Sequence, residues 1–174
     1  MKAQHGLLFS FLLSFGMISA HAENLQNNGF YIESGANFTK TIKGDSGTGL
    51  GLGVGYQYFD HNILVEPSIH YLDTGNAYGD KWGYADLDIG YRFNVKGHDV
   101  IPKVGMGLFH SFANGGGSAK DLNVGLEVDL TKKWSVDLTH EFIYPNALQV
   151  GMFSSIGGLH LNDTTLSIKY VFWF

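Results

Sequence analysis

Eight segments of this chain alternate, at every second position, between apolar residues and residues that are polar or small. They cover residues 29–40, 47–59, 62–73, 84–93, 100–109, 121–130, 134–142 and 165–174. In residues 47–59, GTGLGLGVGYQYF, one set of alternate positions carries leucine, valine and tyrosine, while the other set is mainly glycine. We call each such set a parity. Period-two alternation predicts β-strands with two different faces. Most segments are about 10 to 13 residues long, which exceeds the ~5–6 typical of globular strands and suits the ~9–11 needed to cross a bilayer.

The apolar parity is expected to face lipid rather than a protein core. A soluble sandwich also alternates, but its outer face would be rich in charge. Charged residues make up only 16% of this chain, against ~25% in soluble domains, and the polar parity is mostly glycine and acidic residues. The sequence therefore predicts an all-β fold, a closed antiparallel up-and-down transmembrane β-barrel of eight strands, whose closure leaves no open edge in lipid.

Aromatic residues and connection lengths support this prediction. One predicted girdle comprises Tyr56, Tyr58, Tyr91, Phe93, Trp134, Tyr170 and Phe172. The other comprises Phe38, Tyr71, Trp82, Tyr84, Phe142 and Tyr144. The predicted turns at 60–62, 94–99 and 131–133 are short, whereas the connections at the opposite end are longer. Two girdles, short turns and longer loops are typical of outer-membrane barrels.

An eight-stranded barrel has a lumen narrow enough for side chains to fill. The glycine-rich parity of residues 47–59 is therefore expected to make room for bulkier inward residues on neighbouring strands. Those residues are Glu33, Leu64, Glu66 and His70. Pro67 lies inside a strand segment, where its missing N–H predicts a bulge or a distorted ladder.

The N-terminus predicts a secretory signal peptide. Lys2 is followed by an apolar run and then by Ala20-His21-Ala22, an A-x-A cleavage pattern. The apolar run is shorter than the ~20 residues of a membrane-spanning helix. We therefore expect a signal peptide at 1–22 and an outer-membrane β-barrel domain at 23–174.

Composition excludes several classes of function. The formal net charge of −5 argues against nucleic acid as a partner. The chain has no cysteine, so disulfides and thiolate metal sites are excluded. The glycine-rich ANGGGSAK lacks the G-K-[ST] of a phosphate-binding loop. We expect no cofactor and no metal ligands.

Two stretches resemble a known family. LDIGYRF ends the fourth predicted strand, and LSIKYVFWF ends the chain on an aromatic residue. With the signal peptide, these make the chain similar to the small eight-stranded outer-membrane barrels: OmpA-like transmembrane domains, OmpX/Ail-type proteins and opacity-type porin-family proteins. The resemblance implies the outer membrane of a Gram-negative cell, contact with its lipid and lipopolysaccharide, and assembly by the β-barrel machinery through a signal at Tyr170, Phe172 and Phe174. It does not select one activity.

The inward charges form the main candidate site. The alternation places in the lumen Glu33, Glu66, Asp86, Asp88, Arg92, Lys103, Glu127, Asp129, Asp137, Glu141 and Lys169. The first interpretation is a structural network of ion pairs and hydrogen bonds. The alternative is a narrow cation-preferring porin, since acidic rings favour cations.

Histidines raise an enzymatic alternative. The eight-stranded lipid A deacylase family has a site that resembles a lipid-facing His-x-Ser with a nearby Glu. Here His110 precedes Ser111 and His140 precedes Glu141, and adjacent residues of a strand face opposite sides. The nucleophile–base geometry is therefore not expected, and we predict no catalytic residues and no enzyme, with a lipid A-modifying enzyme as the second alternative.

The longest outer loops remain as candidate partner surfaces. Exposed apolar residues in a loop can mark an interaction site, and the loop at 145–161 contains several. We therefore expect a non-catalytic outer-membrane protein that serves envelope integrity or surface adhesion. The ligand, from a host or the extracellular medium, would bind loops 73–81 and 145–161.

Overall fold

A computed structural model of the protein describes residues 28–41, 46–73, 81–112, 118–144 and 161–172. All regular elements in these ranges are strands. They are β1 (Gly29–Thr41), β2 (Ser46–Asp60), β3 (Ile63–Asp73), β4 (Lys81–Tyr91), β5 (Phe93–Val95), β6 (His98–Ser111), β7 (Ser118–Asp129), β8 (Trp134–Tyr144) and β9 (Leu161–Phe172). Within the same ranges, no helix is long and apolar enough to span a membrane.

The strands close into one antiparallel barrel. The order is β4-β3-β2-β1-β9-β8-β7-β6-β5, and β4 also pairs with β6. The three-residue β5 continues β4 beyond Arg92 and pairs with the start of β6. Since β4 and β5 together form one strand of the wall, the barrel has eight strands. The first and last strands close it, with Phe30 opposite Phe172 and Lys40 opposite Asn162. The predicted closed up-and-down barrel of eight strands is confirmed.

The two faces of the strands follow the predicted parity. The outward side chains of Leu52, Ile69 and Met106 are 63%, 63% and 65% exposed, whereas inward Glu66 and Lys103 are only 2% and 4% exposed. Soluble proteins bury apolar side chains and expose charged ones, whereas this chain does the reverse. A barrel with a lipid-facing exterior and a polar interior requires this arrangement.

The two ends of the barrel differ. Short turns occur at 61–62, 96–97 and 130–133, and we call this the turn end. We call the other the loop end, where residues 42–45, 74–80, 113–117 and 145–160 connect strands. At the turn end, Lys96 and Gly97 have φ of 54° and 88°, as a two-residue type I′ hairpin turn requires.

The predicted aromatic girdle at the loop end was partly wrong. Trp82 and Tyr84 are 1% and 5% exposed and point into the lumen. Both residues lie an even number of positions from Asp86, which points inward. Because side chains alternate along β4, Trp82 and Tyr84 must point inward as well. Phe38 and Tyr71 do face outward, and Phe112, which the prediction omitted, joins them at 58% exposure. The side chain of Tyr144 lies outside the described residues.

The girdle at the turn end was predicted correctly. Tyr56 and Tyr170 are half-buried against neighbouring rings, and the other five members are exposed: Tyr58, Tyr91, Phe93, Trp134 and Phe172. Neighbouring rings contact one another along the rim in tilted or edge-to-face arrangements, with centroids 4.7 Å apart for Trp134 and Tyr170 and 4.9 Å apart for Phe30 and Tyr56.

Pro67 distorts a ladder without forming a bulge. The β2–β3 pairing runs from Leu50–Asp73 to Gly55–Ser68 and resumes at Tyr58–Val65 in the same register. The interruption falls where Pro67 has no N–H to donate. On its other side, Pro67 stays in register with Leu87 of β4.

The prediction that Leu64 lies opposite the glycine row was wrong. Leu64 pairs with Phe59 of β2 instead. The two pack with Ile101 at the turn end.

Several predictions concern residues outside the described ranges. They are the signal peptide at 1–22, the terminal Phe174 of the assembly signal, and most of loops 73–81 and 145–161.

Candidate functional site

Inward side chains fill the barrel in layers. At the loop end lies an apolar layer of Leu72, Trp82, Tyr84, Phe109, Ala119 and Ile143. At the turn end a smaller layer contains Phe59, Leu64 and Ile101, and the guanidinium carbon of Arg92 lies 3.6 Å from the centroid of the Phe59 ring. Between these two layers the lumen is lined by charged and polar side chains.

Two lysines meet three carboxylates midway along the barrel. This central cluster comprises Glu66, Lys103, Glu127, Asp137 and Lys169. Lys169 Nζ donates to Glu66 Oε2 at 2.6 Å and to Glu127 Oε2 at 2.7 Å. Lys103 Nζ donates to Glu66 Oε1 at 3.1 Å, to Glu127 Oε2 at 3.3 Å and to Asp137.

The central cluster links strands that are not neighbours. Its members come from β3, β6, β7, β8 and β9, and each is at most 4% exposed. Buried ion pairs are stable only when each charge is matched and hydrogen-bonded. The three carboxylates have oxygens close enough together to hold a metal ion, but the two ammonium groups already lie among them. The cluster therefore acts as a salt-bridged brace across the lumen.

A second contact lies over the glycine row of β2. Glu33 Oε1 and His70 Nδ1 are 2.6 Å apart, and these residues flank Gly53 on its two neighbouring strands. A Cβ on Gly53 would lie 2.5 Å from the Glu33 oxygen and 2.7 Å from the His70 nitrogen. The predicted role of this row, making room for Glu33 and His70, is thus visible in the geometry.

Gly53→Ala is expected to destabilise the barrel by about 1–3 kcal/mol, the usual cost of overpacking. The added methyl would push Glu33 and His70 apart. Gly125→Ala is the matched control, because its closest contact would be Thr139 Oγ1 at 3.2 Å. Urea unfolding of the refolded variants, followed by tryptophan fluorescence, measures both. Equal losses for the two variants would contradict the assigned crowding at Gly53.

An acidic cluster lies between the central cluster and the apolar layer of the loop end. It consists of Asp86, Asp121 and Glu141, whose carboxylate oxygens come within 4.8 Å of one another. The three residues are 7%, 1% and 5% exposed. Asp86 and Asp121 lie opposite the two sides of Gly107.

Other polar groups in the lumen are paired locally. Asn123 Nδ2 donates to Asp88 Oδ1 at 2.8 Å. Asp163 accepts from Thr39 at 2.8 Å and from Tyr84 at 3.2 Å. At the turn end, Arg92 Nε lies 3.5 Å from Asp99 Oδ2.

The filled interior leaves little free space. A cavity of about 30 Å³ lies between Glu33, Glu66, His70, Asp86 and Glu141, among other lining residues. A single water needs roughly 10–15 Å³ of cavity volume. This cavity therefore holds about two waters and does not form a hydrated path.

The eleven predicted lumen residues all come from inward positions, but they do not form one network. Five of them make the central cluster. Asp86 and Glu141 join the acidic cluster, while Glu33, Asp88 and Arg92 pair separately. Asp129 is half-buried at the end of β7.

The prediction missed two acids at the loop end, Asp121 and Asp163. Asp121 begins predicted segment 121–130, and Asp163 lies two residues before segment 165–174. Each is an inward residue of its strand, as are Asn123 and Ser167 respectively, so applying the alternation to the ends of these two segments would have found them.

His110 and His140 face outward near the loop end. His110 is exposed while Ser111 is buried, and His140 is half-buried while Glu141 is buried. His110 Nδ1 instead lies 2.8 Å from Ser118 Oγ on β7. Among the described residues no carboxylate lies within ion-pair distance of His110, so this pair lacks the orienting acid of a catalytic triad.

Comparison with known proteins gives one family match. The family model described as outer membrane protein β-barrel domain matches residues 9–172. No curated protein matches the chain significantly in sequence.

Two solved structures have similar folds. Neisserial surface protein A gives a TM-score of 0.59 at 14% identity, covering 83% of this chain and 97% of that chain. The N-terminal β-barrel domain of OprF from Pseudomonas aeruginosa gives 0.51 at 16% identity, covering 83% and 99%. At these identities the likeness concerns the fold.

Proposed function

The chain belongs to the outer membrane protein β-barrel domain family, and from this premise we propose that it is a non-catalytic surface protein of the bacterial outer membrane. Its loop end would contact an extracellular or host ligand, and its barrel would serve as a rigid anchor. Lipid and lipopolysaccharide would surround the barrel, and the β-barrel machinery would assemble it through Tyr170, Phe172 and Phe174.

The filled lumen is the observation that carries this proposal. Ion pairs occupy its middle and apolar layers cover both ends. Conducting pores need a continuous wet path lined by groups that bind ions weakly. The ion-paired side chains of the central cluster and a cavity of only about 30 Å³ favour a structural role for the lumen over a transport path.

The exterior of the loop end is then the part left to carry function. Loop 145–161 contains Leu148, Val150, Met152, Phe153, Ile156 and Leu159 among glycine and serine. Apolar residues concentrated in a connecting segment favour contact with a partner. The similar fold of a protein named as a neisserial surface protein is consistent with this role.

Replacing residues 145–161 with a glycine-serine segment of equal length is expected to abolish adhesion of expressing cells to matrix-coated surfaces. The barrel should still fold, because the central cluster and every strand pairing except those of Leu161, the first residue of β9, lie outside the replaced segment. Adhesion counts measure the first effect, and heat-modifiable gel mobility measures folding. The control replaces turn 131–133, which should leave adhesion unchanged.

Planar-bilayer recording on the same refolded proteins tests the porin alternative. We expect no stepwise conductance from the natural sequence. Regular steps that change on Glu66→Gln would overturn the closed-lumen proposal, while unchanged adhesion after the loop replacement would overturn the role of loop 145–161. Altered lipid A in overexpressing cells, lost on His140→Ala, would favour the enzymatic alternative.

A further inference from the structure

The lumen contains two groups of three buried carboxylates, and they differ in one respect. In both, the carboxylate oxygens come within 4.8 Å of one another. Glu66, Glu127 and Asp137 surround the ammonium groups of Lys103 and Lys169. The acidic cluster of Asp86, Asp121 and Glu141 has no lysine or arginine within ion-pair distance among the described residues.

Four of the six carboxylate oxygens of the acidic cluster also lack a hydrogen-bond donor among the described residues. Both oxygens of Asp121 are buried with no donor in the described part of the chain, and the same holds for Glu141 Oε2 and Asp86 Oδ1. His70 Nε2 lies 3.7 Å from Asp86 Oδ2, but His70 Nδ1 already pairs with Glu33. A buried, unpartnered ionised carboxylate is strongly unfavourable, so these groups need either a positive partner or protons.

A glycine on the strand between them lets the carboxylates of the acidic cluster converge. Gly107 of β6 lies between Asp86 on β4 and Asp121 on β7. A Cβ on Gly107 would clash with Asp86 Oδ1 and would lie 2.8 Å from Asp121 Oδ1. The glycine thus allows carboxylates from both neighbouring strands to converge. Asn123 adds a buried amide oxygen without a donor on the same face of β7.

We propose that Asp86, Asp121 and Glu141 bind a divalent cation of the Ca²⁺ type inside the barrel. Ca²⁺ takes oxygen ligands at roughly 2.3–2.6 Å, so oxygens on opposite sides of the ion lie about 4.6–5.2 Å apart. The carboxylate oxygens of the acidic cluster all lie within 4.8 Å of one another, which is compatible with this spacing. Mg²⁺ holds its ligands at roughly 2.0–2.1 Å and retains several waters, which fits a group of three converging carboxylates less well.

The position of the cluster determines how the ion would enter. Trp82, Tyr84 and Phe109 cover it at the loop end, and the central cluster closes it from the other side. The ion is therefore bound as the barrel folds and exchanges slowly afterwards, because ligands from β4, β7 and β8 converge only in the closed barrel.

Refolding the full chain in micelles with a chelator, with Ca²⁺ or with Mg²⁺ tests the proposal. After gel filtration into ion-free buffer, mass spectrometry counts retained metal and heat-modifiable gel mobility gives the unfolding midpoint. We expect one Ca²⁺ per chain after refolding with Ca²⁺, a raised midpoint, and much less retained Mg²⁺. Asp121→Asn should lose both the ion and the calcium-dependent rise.

The variants also separate a bound ion from a general effect of calcium. Asp99→Asn, a buried lumen aspartate at the turn end, is the matched control and should retain the ion. In chelator, Asp121→Asn should unfold at or above the temperature of the natural sequence, because it removes like-charge repulsion. Glu141→Gln serves as a second variant if Asp121→Asn fails to refold.

Absence of retained Ca²⁺ on the natural sequence would overturn the proposal and leave protonated carboxylates as the explanation. Equal retention by the natural sequence, Asp121→Asn and Glu141→Gln would overturn it as well.

Discussion

Lys169→Met is expected to lower the free energy of unfolding by about 3–5 kcal/mol, the usual cost of removing one partner from a buried ion pair. Methionine fills a similar volume but cannot donate to Glu66 and Glu127, which Lys169 Nζ contacts at 2.6 and 2.7 Å. It also removes the ammonium group 4.3 Å from the centroid of the Tyr31 ring. Urea unfolding in lipid vesicles measures the loss.

A second substitution identifies its cause. Lys169→Met with Glu66→Gln restores the net charge of the central cluster, and glutamine can still accept from Lys103. The double variant should therefore recover part of the lost stability. A double variant less stable than Lys169→Met alone would show that lost packing, rather than uncompensated charge, dominates.

Leu126→Arg is expected to cost about 2–4 kcal/mol, as for a charge on the lipid face near the bilayer midplane. Leu126 is 43% exposed on the outward face of β7, between outward Lys120 at the loop end and the girdle at the turn end. Vesicle refolding and urea titration give the change.

The matched control places the same charge at the membrane boundary. Val95 is 49% exposed and lies beside the Lys96-Gly97 turn, where an arginine should cost only about 0–1 kcal/mol. Equal losses at the two positions would mean that Leu126 does not face hydrocarbon.

The fold could be predicted because a lipid exterior imposes a strict rule on sequence. Residues facing hydrocarbon are nearly all apolar, with Ser34 of β1 an exception, so the alternation of β2 or β4 can be recognised without knowledge of the partner strands. The same rule weakens beyond the membrane boundary. Near the loop end polar residues are tolerated on both faces, which explains why Asp121 was not counted among the inward charges and Tyr84 was taken for an outward aromatic.

The arrangement of the site was less predictable than its composition. Parity shows that Lys103 and Glu66 both face inward, but which acid meets which lysine depends on the stagger of strands around the barrel. That stagger follows from pairing and closure, which link residues distant in sequence. The sequence therefore identified the inward charges but did not divide them into a lysine-matched group and an acidic group.

Lys169 belongs to the last strand, and its partner Glu66 lies 103 residues earlier on β3. The second ammonium group of the central cluster therefore arrives only with β9, the strand that closes the barrel against β1. Charges left without that partner in hydrocarbon would cost several kcal/mol each. We therefore expect insertion to proceed through an almost complete cylinder that still contains water, which leaves as the first and last strands join.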